Sequence, residues 1–180
     1  LMTRKLFSRK YTKRTRFTRQ CIGEAIIALV YKKDFDSITI SDIVKTAGVS
    51  RMTFYHYFKD KTEALGNYLQ EVIDGYQEVC PKDITLVMLR RETSIRQALH
   101  YFDQYTSLFL TLEKAGLYSL MINAINDYMR IYVAPYYSGS IYELYFYAGA
   151  LLNTFIEWEK GKKKEPVDEI VQILLSLTTD

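Results

Sequence analysis

Residues 39–58 constrain the fold more than any other stretch, because they carry the signals of two short helices on either side of one glycine. Thr39 and Asp42 have the spacing of a capping box, in which each side chain satisfies a backbone N–H of the other residue. Gly48 follows the apolar positions of the first helix, and glycine most easily adopts the left-handed conformation that ends a helix. Ser50 suits the start of the second helix. Two helices at a tight turn predict a helix-turn-helix, whose second helix presents its outer face to another molecule.

Helical periodicity dominates the rest of the chain, and few segments alternate apolar and polar residues as strands do. We predict helices at about residues 15–31, 39–47, 50–57, 61–79, 94–105, 107–114, 117–133, 140–160 and 166–177. An irregular connection is expected after Cys80. The predicted fold class is therefore all-α, with a three-helix helix-turn-helix domain at residues 1–60 and a helical domain at residues 61–180, in which the helix at 61–79 is the linker.

The two predicted domains carry opposite charge. Residues 1–60 hold 13 Lys/Arg and 5 Asp/Glu, whereas residues 61–180 hold 11 and 16, so the net charge of +3 hides an N-terminal excess. The first twenty residues contain eight of these cations and no acid. On charge alone, this arm is either a solubilising tail or a segment that attracts a polyanion.

The chain lacks the signals of several other protein classes. No apolar run approaches the roughly 18 residues that cross a bilayer, so we expect a cytoplasmic protein with no membrane partner. Cys21 and Cys80 are expected to be reduced, buried thiols. There are only two histidines, and we find no metal-ligand spacing, glycine-rich phosphate loop or G-x-S-x-G elbow. We therefore predict that the protein is not an enzyme and has no cofactor or metal.

The helix-turn-helix region is similar to a known family. The similarity rests on Ile38-Thr39-Ile40-Ser41-Asp42-Ile43, on Ala47-Gly48-Val49-Ser50 and on Thr53-Phe54-Tyr55-His56-Tyr57-Phe58-Lys59-Asp60-Lys61. Over about residues 14–66 the chain resembles the DNA-binding domain of TetR-type transcriptional regulators, and its C-terminal part resembles a subgroup that includes dihydroxyacetone-kinase regulators. The resemblance implies an all-helical homodimer whose first three helices bind palindromic double-stranded DNA. It also implies that the C-terminal domain dimerises and usually holds an inducer.

Position on the second helix of the motif divides its residues into two groups. Phe54 and Phe58 are four residues apart and face the two preceding helices, so we predict that both are buried. The predicted DNA-contacting residues of the chain are Arg51, Thr53, Tyr55, His56, Tyr57, Lys61, Thr39, Ser41, Arg14 and Arg16. Arg51 and Thr53 lie near the helix start, where side chains normally reach base edges, although either could contact phosphate alone.

Several of these contacts are expected at phosphate groups. The resemblance implies that role for Tyr55, His56 and Tyr57, and the alternative for Tyr57 is a half-buried position in the core. Lys61 opens the next helix, where free backbone N–H groups already favour an anion. We therefore expect its ammonium group to contact phosphate.

Polar and basic residues outside this helix extend the predicted surface. Thr39 and Ser41 could donate to the opposite DNA strand, although capping explains Thr39 equally well. Arg14 and Arg16 flank the first helix and are expected at the DNA backbone. Residues 4–10 could enter a minor groove or remain without contact.

Aromatic residues are frequent in the C-terminal part and are candidates for the wall of an effector pocket. The candidates are Tyr101, Tyr105, Phe109, Tyr128, Tyr132, Tyr145 and Trp158. Aromatic residues at helical spacing also form ordinary core, and these residues do not indicate a chemical class of ligand.

The helix at residues 140–160 is apolar on two faces, so it must be covered on both. We predict that a second copy supplies one cover through a four-helix interface, with an intramolecular core as the alternative. The predicted interface residues are Ile141, Leu144, Tyr145, Ala148, Leu152, Phe155, Ile170, Leu174 and Leu177. Tyr142, Phe146, Gly149 and Ile156 form the other face.

Two functional hypotheses follow. The first is a homodimeric transcriptional repressor that binds a palindromic operator and responds to a small molecule. The second is a helical, dimeric interaction module or co-regulator whose effector is another protein.

Overall fold

The computed structural model describes residues 12–80 and 85–178, which contain helices and no strand. The chain divides into two compact units, Leu1–Tyr68 and Leu69–Asp180. The helices are α1 (Lys13–Val30), α2 (Ile40–Ala47), α3 (Arg51–Tyr57), α4 (Lys61–Val79), α5 (Leu86–Leu89), α6 (Glu92–Asp103), α7 (Thr106–Lys114), α8 (Tyr118–Tyr128), α9 (Ile141–Lys160) and α10 (Val167–Thr178). The predicted all-α fold class is confirmed. Within the described ranges, no helix is both long and apolar enough to span a membrane.

The predicted capping signals of the first unit are present. The Asp42 backbone N–H donates to Thr39 Oγ1 at 3.2 Å, and the Thr39 N–H donates to Asp42 Oδ2 at 2.9 Å. Gly48 ends α2 with a φ of +67°, in the left-handed region that favours glycine. The Ser50 side chain accepts from the Thr53 N–H at 3.0 Å and starts α3. The helix-turn-helix geometry is therefore fixed by local chemistry that the sequence displays.

Some short elements were not predicted. A 3₁₀ turn at Phe35–Ser37 lies in the break between α1 and α2. The expected irregular connection contains α5, which Thr85 caps and which buries its first and last leucines. After α8 the chain continues as a π-helical turn at Met129–Val133 and a 3₁₀ turn at Ala134–Tyr136. These elements were not predicted because each is about one turn long, which is too short for a hydrophobic period to be recognised in the sequence.

The second unit requires a correction to the predicted dimer interface. Six of the nine residues predicted for the dimer interface are buried inside a single chain, which leaves them no surface for a partner. They are Leu144, Ala148, Leu152, Phe155, Ile170 and Leu174. Ile141 and Tyr145 are half-buried, and only Leu177 is exposed. The other apolar face of α9 is open at Tyr142 and Phe146, which are both exposed, whereas Ile156 farther along the same face is buried. The intramolecular alternative therefore holds for the first face.

An ion cluster joins α6, α9 and the turn after α9 inside the second unit. The ammonium of Lys163 pairs with Asp103 and lies 3.5 Å from the buried Glu159. Burial raises the pKa of Glu159, and Lys163 opposes this rise. Burial would also raise the pKa of Asp103, but the hydrogen bond from Lys163 holds it below its usual value. Lys163 thus supplies the positive charge that a buried carboxylate needs.

Replacing Lys163 with methionine is expected to lower the free energy of unfolding at pH 7 by about 1–2 kcal/mol, because the pair is partly exposed and weaker than a fully buried one. A raised pKa means that the folded state holds the Glu159 proton more tightly than the unfolded state, so stability falls as pH rises. Without Lys163 this rise in the pKa of Glu159 is unopposed, so Glu159 binds its proton more readily at pH 5. The stability lost through the substitution should therefore be smaller at pH 5 than at pH 7. Urea unfolding at both pH values measures it.

Lys162 offers a matched control for this experiment. It has the same left-handed backbone as Lys163, with φ of 58° against 54°, and it is exposed. Lys162→Met should change stability little at either pH. An equal loss in the two variants would show that the turn, and not the ion cluster, is responsible.

Candidate nucleic-acid interface

The short helix α3 has one buried and one open side. Phe54 and Phe58 are buried, with ring centroids 5.8 Å apart, as predicted. Arg51, Tyr55 and His56 are exposed on the remaining surface. The four-residue spacing of the two phenylalanines anchors the helix and leaves Arg51, Tyr55 and His56 available to a ligand.

Arg51 is held at the start of this open side. Its Nη1 donates to Ser41 Oγ on α2 at 3.3 Å, and its guanidinium carbon lies 6.0 Å from the centre of the Tyr55 ring. No other hydrogen bond joins Arg51 to a described residue, so most of its five donors are open to a ligand. The sequence had assigned Ser41 and Tyr55 to DNA contact; in the structure they also orient the arginine.

The remaining candidates on α3 are less exposed. Thr53 is half-buried, and its hydroxyl lies 2.9 Å from Ser50 Oγ within the helix cap. Tyr57 is also half-buried, with its ring 4.8 Å from the His56 ring and tilted against Phe58. Tyr57 therefore has a packing role, and its contact with phosphate remains a prediction.

Lys61 occupies a position that the sequence did not indicate. Its ammonium donates to the backbone carbonyls of Phe35, Asp36 and Ile38 at 2.5, 3.0 and 2.9 Å. It also lies 4.6 Å from the centre of the Phe35 ring. Since an ammonium has three donors, this set uses all of them. In the structure Lys61 therefore fixes the loop between α1 and α2, and a phosphate contact would require it to leave these carbonyls.

Replacing Lys61 with methionine should leave three carbonyls without this donor and lower the free energy of unfolding by about 2–3 kcal/mol, since hydrogen bonds to charged groups are the stronger ones. Thermal unfolding measures the loss. Lys59→Met, at an exposed lysine two residues earlier, is the control and should change stability little. A phosphate-only role predicts the opposite pattern: normal stability for Lys61→Met, but a salt dependence of DNA binding that is smaller by about one phosphate contact.

The start of α2 is held by a second network. Lys33 Nζ donates to Asp42 Oδ2 at 2.6 Å, and the Thr39 hydroxyl donates to the same oxygen at 2.7 Å. These bonds, the one from Lys33 first, hold the pKa of Asp42 well below its usual value. Thr39 thus serves its own helix, and its contact with DNA remains a prediction.

The basic residues of α1 have two different surroundings. Arg14 and Arg16 are exposed in the first turn of the helix. Arg19 is buried; it donates to Asn67 Oδ1 at 2.8 Å and lies 5.1 Å from the Phe58 ring centre. Arg19 therefore braces the unit internally. The predicted minor-groove contacts at residues 4–10 lie outside the described residues.

The candidate effector-pocket residues are dispersed over the second unit. Two small cavities and one open cleft lie there. Tyr128 lines the larger of the two small cavities and Phe109 the smaller, whereas Trp158 lines the cleft, whose volume is about 400 Å³. Tyr101 donates to the Val72 carbonyl at 2.9 Å, and Trp158 Nε1 donates to the Glu165 carbonyl at 2.9 Å. Neither lines the two small cavities, and the same holds for Tyr105, Tyr132 and Tyr145.

Two aromatic residues of the larger of the small cavities, Tyr76 and Tyr147, were not predicted from the sequence. Tyr76 continues the apolar face of α4 that begins with Val72 and Ile73, and this spacing is the signal that could have identified it. No group of acidic, cysteine and histidine residues suited to a metal ion exists within the described ranges.

The first unit matches a described family. Residues 22–65 match "Bacterial regulatory proteins, tetR family". The chain is 31% identical over 86 residues to the uncharacterized HTH-type transcriptional regulator YxbF of Bacillus subtilis, covering 45% of this chain and 20% of that protein. It is 36% identical over 53 residues to the HTH-type dhaKLM operon transcriptional activator DhaS of Lactococcus lactis, covering 29% of this chain and 28% of that protein. The matches thus span under a third of either relative's length.

The similarity in fold to solved structures extends over nearly the whole chain. Lin0861 from Listeria innocua has a TM-score of 0.75 at 17% identity, over 94% of this chain and 93% of that one. A structure described as a putative TetR-family transcriptional regulator from Syntrophomonas wolfei has a TM-score of 0.61 at 16% identity, over 91% of this chain and 93% of that one. At this identity the likeness concerns the fold alone.

Proposed function

We infer that this chain, which is of TetR type, represses transcription as a homodimer bound to a palindromic DNA site, and that a small molecule controls the binding. The observation that carries the proposal is the open side of α3, where Arg51 is oriented by Ser41 and Tyr55 yet keeps free donors. A helix of this kind reads base edges in the major groove through its N-terminal residues. The basic excess of the first sixty residues favours a polyanion as its partner.

The proposed contacts divide by chemistry. Arg51 would pair with guanine O6 and N7 through two donors of its planar guanidinium, which holds them in a fixed fork. Tyr55, His56, Arg14 and Arg16 are exposed and would contact the phosphate backbone. Such backbone contacts fix register and carry the salt dependence, and they do not specify sequence.

The open face of α9 supports the homodimer. Tyr142 and Phe146 are exposed on it, and α10 adds exposed Ile173 and Leu177. Gly149 lies one turn beyond Phe146, and no atom lies within 4 Å of the position that its β-carbon would occupy. A glycine with open space above it permits close approach of a second helix. A two-fold pairing of α9 and α10 would cover this face with its own copy.

Control by a small molecule requires a ligand that binds the DNA-competent and DNA-incompetent states with different affinity. The two cavities of the second unit are the proposed binding region. α4 is one continuous helix from Lys61 to Val79, and it contributes residues to both units. We propose α4 as the element through which ligand binding alters DNA binding.

Selection of bound sequences from a random DNA pool tests the proposal. We expect an inverted repeat to be enriched, and affinity for it to fall steeply with salt. Transcription from a promoter that carries the selected site should decrease when the protein is added. Enrichment of no sequence, with weak binding to all DNA, would instead favour the protein-interaction module.

A further inference from the structure

We propose that the controlling ligand is an uncharged, elongated, mainly apolar molecule with one hydrogen-bonding oxygen, and that this oxygen binds Tyr128. The inference rests on the proposed function, because it names the ligand class of the same regulatory unit. The shape and polarity of the two small cavities and the buried hydroxyl of Tyr128 support this ligand class.

The two cavities are neighbours separated by shared side chains. The larger has a volume of about 40 Å³ and the smaller about 20 Å³. Both are lined by Ala98, Phe102, Ile125 and Leu151. The half-buried ring of Phe102 lies 4.9 Å from the ring of Tyr76 and 5.6 Å from that of Phe109. Phe102 is therefore part of the wall, and a ligand that displaces its ring would extend from one cavity into the other.

The lining is uncharged. The larger cavity has Ser94 and three tyrosines as its only polar lining residues, and the smaller is lined entirely by apolar side chains. A carboxylate or ammonium placed here would lose its hydration without gaining a counterion from the lining. Aromatic rings can attract a cation, so an ammonium ligand is the alternative that the experiment must distinguish.

The Tyr128 hydroxyl gives the cavity one polar anchor. Tyr128 is 5% exposed, and among the described residues its Oη has no hydrogen-bond partner other than the thiol of Cys80. The nearby thiol of Cys80 interacts with it, but a thiol is a weak hydrogen-bonding group. Burial raises the pKa of Tyr128, so its hydroxyl keeps the proton that it can donate.

Neighbouring hydroxyls do not offer the same opportunity. Tyr147 Oη already donates to the Leu89 carbonyl at 2.7 Å. Tyr76 interacts with the Cys80 thiol, as Tyr128 does, but its Oη is not among the buried polar atoms that lack a partner. A ligand oxygen at Tyr128 would satisfy a buried donor, which is the most selective interaction that this apolar site can offer.

A matched series of eight-carbon probes tests the proposal with the full-length protein. 1-Octanol, octanoate and octylammonium differ in charge but share one chain length. We expect saturable binding of 1-octanol by calorimetry, a raised Tm and a weakened complex with the selected DNA site. Octanoate and octylammonium should bind at least tenfold more weakly.

Two variants assign the oxygen contact. Tyr128→Phe removes an unsatisfied hydroxyl, so Tm without ligand should be unchanged or higher, while 1-octanol affinity falls about tenfold. Tyr136→Phe removes the hydroxyl of an exposed tyrosine that lines neither cavity, and it should bind as the unaltered protein does.

The outcomes separate this inference from the proposed function. Equal or tighter binding of either charged probe, or full 1-octanol affinity in Tyr128→Phe, would overturn the ligand class. Binding of none of the three would overturn the site, and sequence-specific DNA binding would still stand. Saturable 1-octanol binding in a protein that selects no DNA sequence would support the site and refute the DNA-binding role.

Discussion

Arg51→Ala is expected to abolish most of the protein's preference for its selected site while retaining its affinity for unrelated DNA. A bidentate arginine–guanine pair discriminates by about 1–3 kcal/mol, and a homodimer would make the pair once in each half-site. The guanidinium is already positioned by Ser41 and Tyr55, so little side-chain freedom remains to be lost on binding. The ratio of specific to non-specific affinity, measured at one salt concentration, should fall by tenfold or more.

Two further variants show whether the effect concerns base recognition. Lys59→Ala also removes one exposed positive charge near α3, and it should weaken binding to all sequences alike. Ser41→Ala removes only the 3.3 Å contact that orients the guanidinium, so it should reduce the ratio less than Arg51→Ala does. If Arg51→Ala lowers specific and non-specific affinity by the same factor, the arginine contacts phosphate only.

Local chemistry made the first unit predictable from sequence. The capping box of Thr39 and Asp42, the left-handed Gly48 and the cap at Ser50 each depend on residues at most a few positions apart. The burial of Phe54 and Phe58 followed from their spacing on one helix. Such features determine where helices begin, end and face without reference to the rest of the fold.

Lys61 shows where this predictability ends. Its position at the start of a helix predicted a contact with a phosphate anion. In the structure, its ammonium instead donates to three carbonyls that lie 23 to 26 residues earlier in the chain. Nothing in the local sequence indicates that these carbonyls converge on one point. A cation near a proposed interface therefore has to be tested for stability and for DNA binding separately.

The two faces of α9 illustrate a different limit. Periodicity identified both apolar faces, but it could not decide which one packs inside the chain. The face with Leu144, Ala148 and Leu152 is buried because α8 and other helices of the same unit cover it. Tyr142 and Phe146 on the second face had the same apolar pattern and remain exposed.

Phe146→Asp is expected to convert the protein to a monomer. A charge at the centre of an apolar helix pairing would be buried without a partner in each copy, an arrangement that costs several kcal/mol. Sedimentation should show half the mass of the unaltered protein. Because Phe146 is 66% exposed in the single chain, helicity measured by circular dichroism should be retained.

Val87→Asp provides a control of matched exposure. Val87 is 67% exposed and lies on α5, which is not one of the two helices of the proposed pairing, so its replacement should leave the dimer intact. Monomer formation in both variants would indicate a general loss of folding. A Phe146→Asp protein that remains dimeric would show that the open face of α9 is not the interface.

Loss of the dimer should affect DNA binding more than any single contact does. In a dimer, binding of one half-site places the second recognition helix near the other at an effective concentration far above that of free protein. A monomer forfeits this gain, so affinity of Phe146→Asp for the inverted repeat should fall by about a hundredfold or more. Its affinity for an isolated half-site should equal that of the unaltered protein, since α3 and its supports lie in the other unit. Equal losses on the full site and on the half-site would contradict this account, because they would mean that the substitution impairs α3 itself.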